Sequence, residues 1–200
     1  GDLEHGLETV HLALTIAETQ LPLFRIKALA VLAKIHIMNN NLAEAEAVIT
    51  QGKNDRGRTA IPIFYMLLLI AEGELALKQG DYERAITLTS NLLTTLRQFG
   101  IRAYISEVLH LQAQALLALG RQGAARDCWL EARTNAKDIG SKQTLWPTLV
   151  ALSQLEANPT EAEQLLLRAR EIVEYIAAHA PPELRASFLG LQAVQELLSG

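Results

Sequence analysis

The residues of this chain with the means to do chemistry are five histidines, one cysteine and a few carboxylates set among apolar neighbours. His5, His11, His36, His110 and His179 are dispersed, and only His5 and His11 lie close together. Six positions apart, those two face different sides of a helix and do not converge on one metal. Cys128 has no second cysteine for a zinc site or a disulfide. It stands beside Trp129 on a helix read as facing its hairpin partner, so an inert thiol is expected rather than a nucleophile. Glu72 and Glu74, two apart on one helix, point in different directions and cannot act as an acid and base couple. No glycine-rich loop ending in Gly-Lys-Ser/Thr is present to cradle a phosphate. These readings predict no catalytic residue, no metal and no cofactor.

Charge points the same way. The formal net charge is -4, and the 18 basic residues form no dense tract. Arg56 and Arg58, with Arg121 and Arg126 further on, are candidate phosphate contacts, but no aromatic residues interleave them and acidic residues dilute the surface. Nucleic acid is therefore not an expected partner. Half of the residues are hydrophobic and only 5% are aromatic, which suits helices packed on Ala and Leu and is too apolar for disorder. The most apolar run, Ile61 to Ala71, is eleven residues long where about 20 span a bilayer. Gly1-Asp2-Leu3-Glu4 does not resemble a signal peptide. A soluble cytoplasmic protein follows as the expectation, and the initial glycine suggests a piece of a longer one.

The elements that carry these residues recur along the chain. Gly80-Asp81-Tyr82-Glu83-Arg84-Ala85 is followed forty positions later by Gly120-Arg121-Gln122-Gly123-Ala124-Ala125, and Asn40 and Ala45 stand forty positions earlier. Ala33, Gly73 and Ala113 each lie seven before the turn. A period of about forty with two helices per period is the signature of a helical-hairpin solenoid. The predicted fold is all-α, an α-α right-handed superhelix of hairpins forming a single domain over 1–200.

Taken in order, residues 3–18 read as a capping or truncated-repeat helix with Leu7, Val10, Leu12, Leu14 and Ile16 on its apolar side. Hairpins are expected at 22–52, 60–100, 102–140 and 142–179. The first includes Phe24 in its opening helix and ends its second helix near Thr50. The segment from Gly52 to Arg58 is polar and bracketed by glycines, and is predicted to be a loop. Pro62 belongs in a first turn, and Ile63 to Ile70 is apolar nearly all round, as for a helix buried on several sides. The last turn, Ala157-Asn158-Pro159-Thr160-Glu161-Ala162, has lost residues relative to the others. Ala180-Pro181-Pro182 stops the final hairpin, and the short patterns across 183–198 offer a C-terminal cap, with an exposed interaction arm as the alternative.

The small residue in the first helix, Gly or Asn at the turn and the alanine five beyond it resemble the tetratricopeptide repeat. In this sequence they are Ala33, Asn40 and Ala45; Gly73, Gly80 and Ala85; and Ala113, Gly120 and Ala125, with Ala132 and Ala169 at the later small position. The unit departs from the family's usual length of about thirty-four. The end of the chain, from Trp146 through Ala180-Pro181-Pro182-Glu183-Leu184 to Val194 and Leu198, is similar to the sensor regions of large bacterial STAND ATPase signalling proteins, fused to cyclase, kinase or LuxR/MalT-type segments.

That resemblance implies a non-catalytic interaction or sensor module, regulating an attached ATPase or output domain in bacterial signalling or transcription control. By position in the resembled repeat, setting Ala33, Gly73 and Ala113 against the hairpin partner turns Lys27, Lys34, Glu74, Lys78, Glu107, His110 and Gln114 toward the groove. Their mixed signs suit a protein or peptide, including an intramolecular ATPase module, more than a polyanion. A solvated helix face would show the same residues, and His110 has the alternative of a hydrogen-bonded core position. The competing functional reading is a self-association scaffold, a homodimer formed through end helices or through Phe188 and Val194 of the tail.

Overall fold

Among the described residues five turns are left-handed, and they lie where small or amide residues are expected to close helices. Asn40 has φ 59°, and Gly80, Gly100, Gly120 and Gly140 have φ 78°, 65°, 73° and 69°. A side chain at such a φ crowds the backbone, so glycine and asparagine are favoured there. In each case the next N–H reaches back five residues: Asn41 to His36, Asp81 to Ala76, Ile101 to Leu96, Arg121 to Leu116 and Ser141 to Ala136, at 2.8–3.0 Å. This is the Schellman closure, which satisfies otherwise orphaned carbonyls and reverses the chain within a few residues.

The structure, a computed structural model, describes residues 3–55 and 62–200. The described residues form eleven α-helices, one 3-10 turn and no strand. They fall into two compact units, the division in the chain lying between Thr94 and Thr95.

The first unit holds α1 (Leu3–Thr19), a 3-10 turn at Pro22–Phe24, α2 (Arg25–Met38), α3 (Leu42–Asn54), α4 (Pro62–Lys78) and the start of α5 (Tyr82–Gln98). α1 packs on α2 through Val10, Ala28 and Leu32, with Leu7 and Leu14 at the edge. Here the expected apolar side needs correction. Leu12 and Ile16 are 62% and 38% exposed, and Ala17 is buried in their place. The periodicity is 7, 10, 14, 17, a stripe at helical spacing that the crowd of apolar residues around it obscured. Phe24 also differs from expectation, since it lies in the 3-10 turn and is 43% exposed.

The predicted loop at Gly52 is corrected as well. α3 continues through Gly52, Lys53 and Asn54. Gly52 is buried because α4 comes too close for a side chain: a Cβ there would lie 2.7 Å from a Leu68 methyl. Lys53 and Asp55 are held by ion pairs, to Glu72 and Arg25 respectively. The remainder of the expected loop, including Arg56 and Arg58, lies outside the described residues.

The second unit continues with α6 (Ile105–Ala118), α7 (Gln122–Asp138), α8 (Lys142–Gln154), α9 (Pro159–His179), α10 (Pro182–Leu189) and α11 (Gln192–Ser199). The small positions picked out by the repeat are closed contacts throughout both units: Ala33, Ala45, Ala113, Ala125, Ala132 and Ala169 are 0% exposed and Ala85 is 1% exposed. The shortened turn before α9 works because Asn158 caps the helix, accepting from the Thr160 N–H at 3.0 Å, and Pro159 sits where its missing N–H costs nothing.

The tail is a cap. Val194 and Leu197 of α11 join Leu149 of α8 and Ala169, Ile172 and Val173 of α9 in one core, with Phe188 packed against it. Fully burying a Val or Leu is worth about 1.5–3 kcal/mol. Two arginines fasten it by charge-assisted bonds to carbonyls: Arg185 Nε donates to Ala177 O at 2.7 Å, and Arg170 Nε donates to Leu197 O at 3.0 Å.

Candidate functional site

The polar residues expected to line a groove fall three, four or seven apart on first helices, and each unit arranges its own set. In the first unit Lys34 of α2 pairs with Glu74 of α4 at 3.1 Å, linking neighbouring first helices. Lys27, nearly two turns earlier on α2, places Nζ 5.7 Å from the centre of the Phe64 ring, which also contacts the Phe24 ring at 5.3 Å between centroids. Lys78 is exposed in the last turn of α4.

Glu72 and Glu74 separate as the helix geometry requires. Glu72 is 4% exposed and is neutralised from two sides, by Lys53 Nζ at 3.0 Å to both carboxylate oxygens and by Arg84 Nη2 at 3.1 Å. A buried carboxylate so paired ties α4 to α3 and α5.

In the second unit Glu107, His110 and Gln114 lie on α6. His110 is half-buried and receives the Trp129 Nε1–H of α7 at Nδ1, 3.2 Å away, with the Thr148 hydroxyl of α8 at 3.4 Å from the same nitrogen. The Thr148 hydroxyl donates to the Thr144 carbonyl at 2.7 Å, and Thr144 in turn meets Ser106 at 3.0 Å. A polar seam thus runs between α6 and α8 with its hydroxyls engaged. Burial pushes the His110 pKa down to about 4, so the ring is neutral near pH 7.

His110 and Gln114 also line a groove of about 620 Å³ between α6, α8, α9 and α11. Trp146, Pro147, Val150 and Gln154 contribute from α8, and Arg170 and Glu196 from the two helices beyond. None of these six was singled out as a site residue, although the signal was present. Adding the forty-residue period to Glu107, His110 and Gln114 gives Pro147, Val150 and Gln154. The series Lys34, Glu74, Gln114, Gln154 is therefore polar at every equivalent position of four first helices.

Other candidates are engaged elsewhere. Cys128 donates weakly to Gln112 Oε1 at 3.6 Å, and burial, followed by the nearby Glu131 and Asp127 carboxylates, pushes its thiol pKa up, away from the thiolate a nucleophile requires. Arg126 pairs with Glu156 at 3.3 Å, and the Glu156 carboxyl is held below the usual range, first by the Asn158 N–H and then by Arg126. Among the described residues no helix is long and apolar enough to cross a membrane.

Comparison with known proteins agrees with this architecture. Residues 106–131, which span α6 and the first half of α7, match the tetratricopeptide repeat family model. No curated protein matches the chain. Among solved structures, BtubC (BKLC) from P. vanneervenii is similar with a TM-score of 0.67 at 16% identity, covering 100% of this chain and 85% of its own. The signal transduction ATPase with numerous domains (STAND) with a tetratricopeptide repeat sensor from Pyrococcus horikoshii is similar with a TM-score of 0.63 at 17% identity, covering 98% of this chain. The chain spans 30% of the length of that ATPase. Turn geometry, buried small residues and the family match together make this an all-α array of tetratricopeptide-like helical hairpins, with 106–131 its clearest repeat.

Proposed function

We propose that this chain is a non-catalytic protein- or peptide-binding module, a sensor that regulates an attached ATPase or output domain in bacterial signalling or transcription control. The observation that carries the reading is the polar series Lys34, Glu74, Gln114 and Gln154, one position repeated on four first helices, each of which also carries buried core residues. Within each unit, repeated polar positions on neighbouring first helices, Lys34 with Glu74 and Gln114 with Gln154, offer hydrogen-bonding groups to a partner. Lys27, Lys78, Glu107 and His110 belong to the same faces. The regulatory half of the reading draws support from the Pyrococcus horikoshii protein, whose tetratricopeptide repeats are described as its sensor.

The coding sequence on either side of these residues tests that half directly. A nucleotide-binding loop ending in Gly-Lys-Ser/Thr in the same frame supports regulation of an attached ATPase. A frame without any such module removes it and leaves a free-standing binding protein.

A second reading, self-association, has one observation of its own. Leu12 and Ile16, four apart on α1, are 62% and 38% exposed. Leu12→Glu combined with Ile16→Glu should dissolve a dimer seen by sedimentation if this face forms it. Val194 and Phe188 of the tail are poor candidates for that role because Val194 is 0% exposed and Phe188 packs on the same core.

A further inference from the structure

His110 is set up as a hydrogen-bond donor of fixed direction and no charge. The Trp129 indole nitrogen can only donate, so at 3.2 Å from His110 Nδ1 it makes that nitrogen an acceptor. In the neutral ring the proton then sits on Nε2. The Thr148 hydroxyl does not compete for Nδ1 as a donor, since its hydrogen is given to the Thr144 carbonyl at 2.7 Å. The ring is braced against Trp129, 6.1 Å between centroids, and lines the groove. With Nδ1 committed, Nε2–H is the group His110 has left to offer there.

The rest of the groove is matched to an uncharged partner. Gln114 and Gln154, both exposed on its rim, each carry an amide that donates and accepts, as a peptide group does. Its two charged lining residues are of opposite sign and partly spent. Arg170 Nε is held by the Leu197 carbonyl, and Glu196 Oε1 accepts from the Gln192 amide at 2.8 Å. Trp146, Val150 and Leu166 give an apolar floor. A cavity of about 620 Å³ with an apolar lining and a few convergent polar groups has the dimensions of a ligand site.

We propose that this groove binds an extended, uncharged peptide segment, with His110 Nε2–H donating to one main-chain carbonyl, the Gln114 and Gln154 amides pairing with flanking peptide groups, and an apolar side chain resting on Trp146. The inference rests on the reading of the chain as an interaction module and names the kind of partner this part of it takes. A carboxylate is disfavoured: the fixed donor carries no positive charge to offset its desolvation, and Glu196 stands at the rim.

The test is fluorescence anisotropy on the whole 200-residue chain with two pools of labelled short peptides. One pool has capped ends and is built from Ala, Val, Leu, Ser, Asn and Gln; the other is rich in Asp and Glu with free carboxyl ends. Ala193 is exposed and lines the groove from α11, so Ala193→Trp fills it without entering the core. Trp129→Phe removes the indole N–H that fixes the His110 tautomer. The neutral pool is expected to bind the native chain, to lose about tenfold or more in affinity with Ala193→Trp, and to lose a smaller factor with Trp129→Phe. The inference is overturned if the neutral pool fails to bind, or binds Ala193→Trp as well as the native chain. Acidic peptides whose binding is lost in Lys34→Glu but kept in Ala193→Trp would sink the groove assignment while leaving the interaction module standing.

Discussion

Acid should destabilise the second unit through a single ring. His110 is held neutral, its pKa lowered from 6.5 to about 4 by burial, whereas in the unfolded chain it titrates near its ordinary value. Between those two values the unfolded state binds the extra proton. The contribution of the neutral ring is therefore fully present above about pH 6.5 and is lost as the pH falls toward 4. Integrated over that window the shift amounts to about 3 kcal/mol, of which about 2 kcal/mol is lost between pH 7 and pH 5. Both tryptophans, Trp129 and Trp146, belong to the second unit, so their emission during urea unfolding reports on it. The comparison is with His110→Gln, whose amide oxygen accepts from Trp129 Nε1 but does not titrate. Subtracting its stability from that of the native chain at each pH cancels the carboxylates and the other four histidines. The difference should fall by about 2 kcal/mol from pH 7 to pH 5. A difference that stays level across that range would refute the neutral, indole-bonded ring.

Three further outcomes follow from the packing. Gly52→Ala, whose new methyl would lie 2.7 Å from Leu68 in the core, should cost about 1–3 kcal/mol, whereas Gly123→Ala, in α7 with nothing within 4 Å, should stabilise by about 0.4–1 kcal/mol; thermal melts of the pair give the sign of each. Removing both Lys53 and Arg84 strands the buried Glu72 carboxylate and should cost about 3–5 kcal/mol, more than the two single changes together, in a double-mutant cycle by urea denaturation. Gly120→Ala forces a side chain into the left-handed turn at φ 73° and should cost about 1–2 kcal/mol by the same measurement.

What the sequence made legible was local. The turns at Asn40, Gly80 and Gly120 and the alanines five beyond them encode a left-handed closure and a close helix contact, both set by the identity of one residue. The start of α9 was readable for the same reason, from Asn158 and Pro159. Errors came where one residue type serves two purposes. Gly52 reads as a loop signal in the sequence, yet its small size serves the approach of Leu68 inside a continuing helix. On α1 the surplus of apolar residues hid which stripe is buried, because Leu12 and Ile16 satisfy a composition argument but not the spacing of Val10, Leu14 and Ala17. A hydrogen-bonded place for His110 is one of the alternatives the sequence leaves open, but its partners, an indole from α7 and the α8 hydroxyl beside it, cannot be read from α6. Its neighbours in the groove were half legible: the forty-residue register gives Gln154, while Arg170 and Glu196 arrive from helices outside that register.

The most direct measurement of the central claim, that the first-helix faces are the contact surface, is a map of backbone amide shifts in the whole chain as the two peptide pools are added. The account expects the shifts to concentrate on α6 and α8 around His110, Gln114 and Gln154 for the neutral pool, with any response of the first unit centred on Lys34 and Glu74. Shifts confined to the outer faces of α7 and α9, or no shift with either pool, would contradict it.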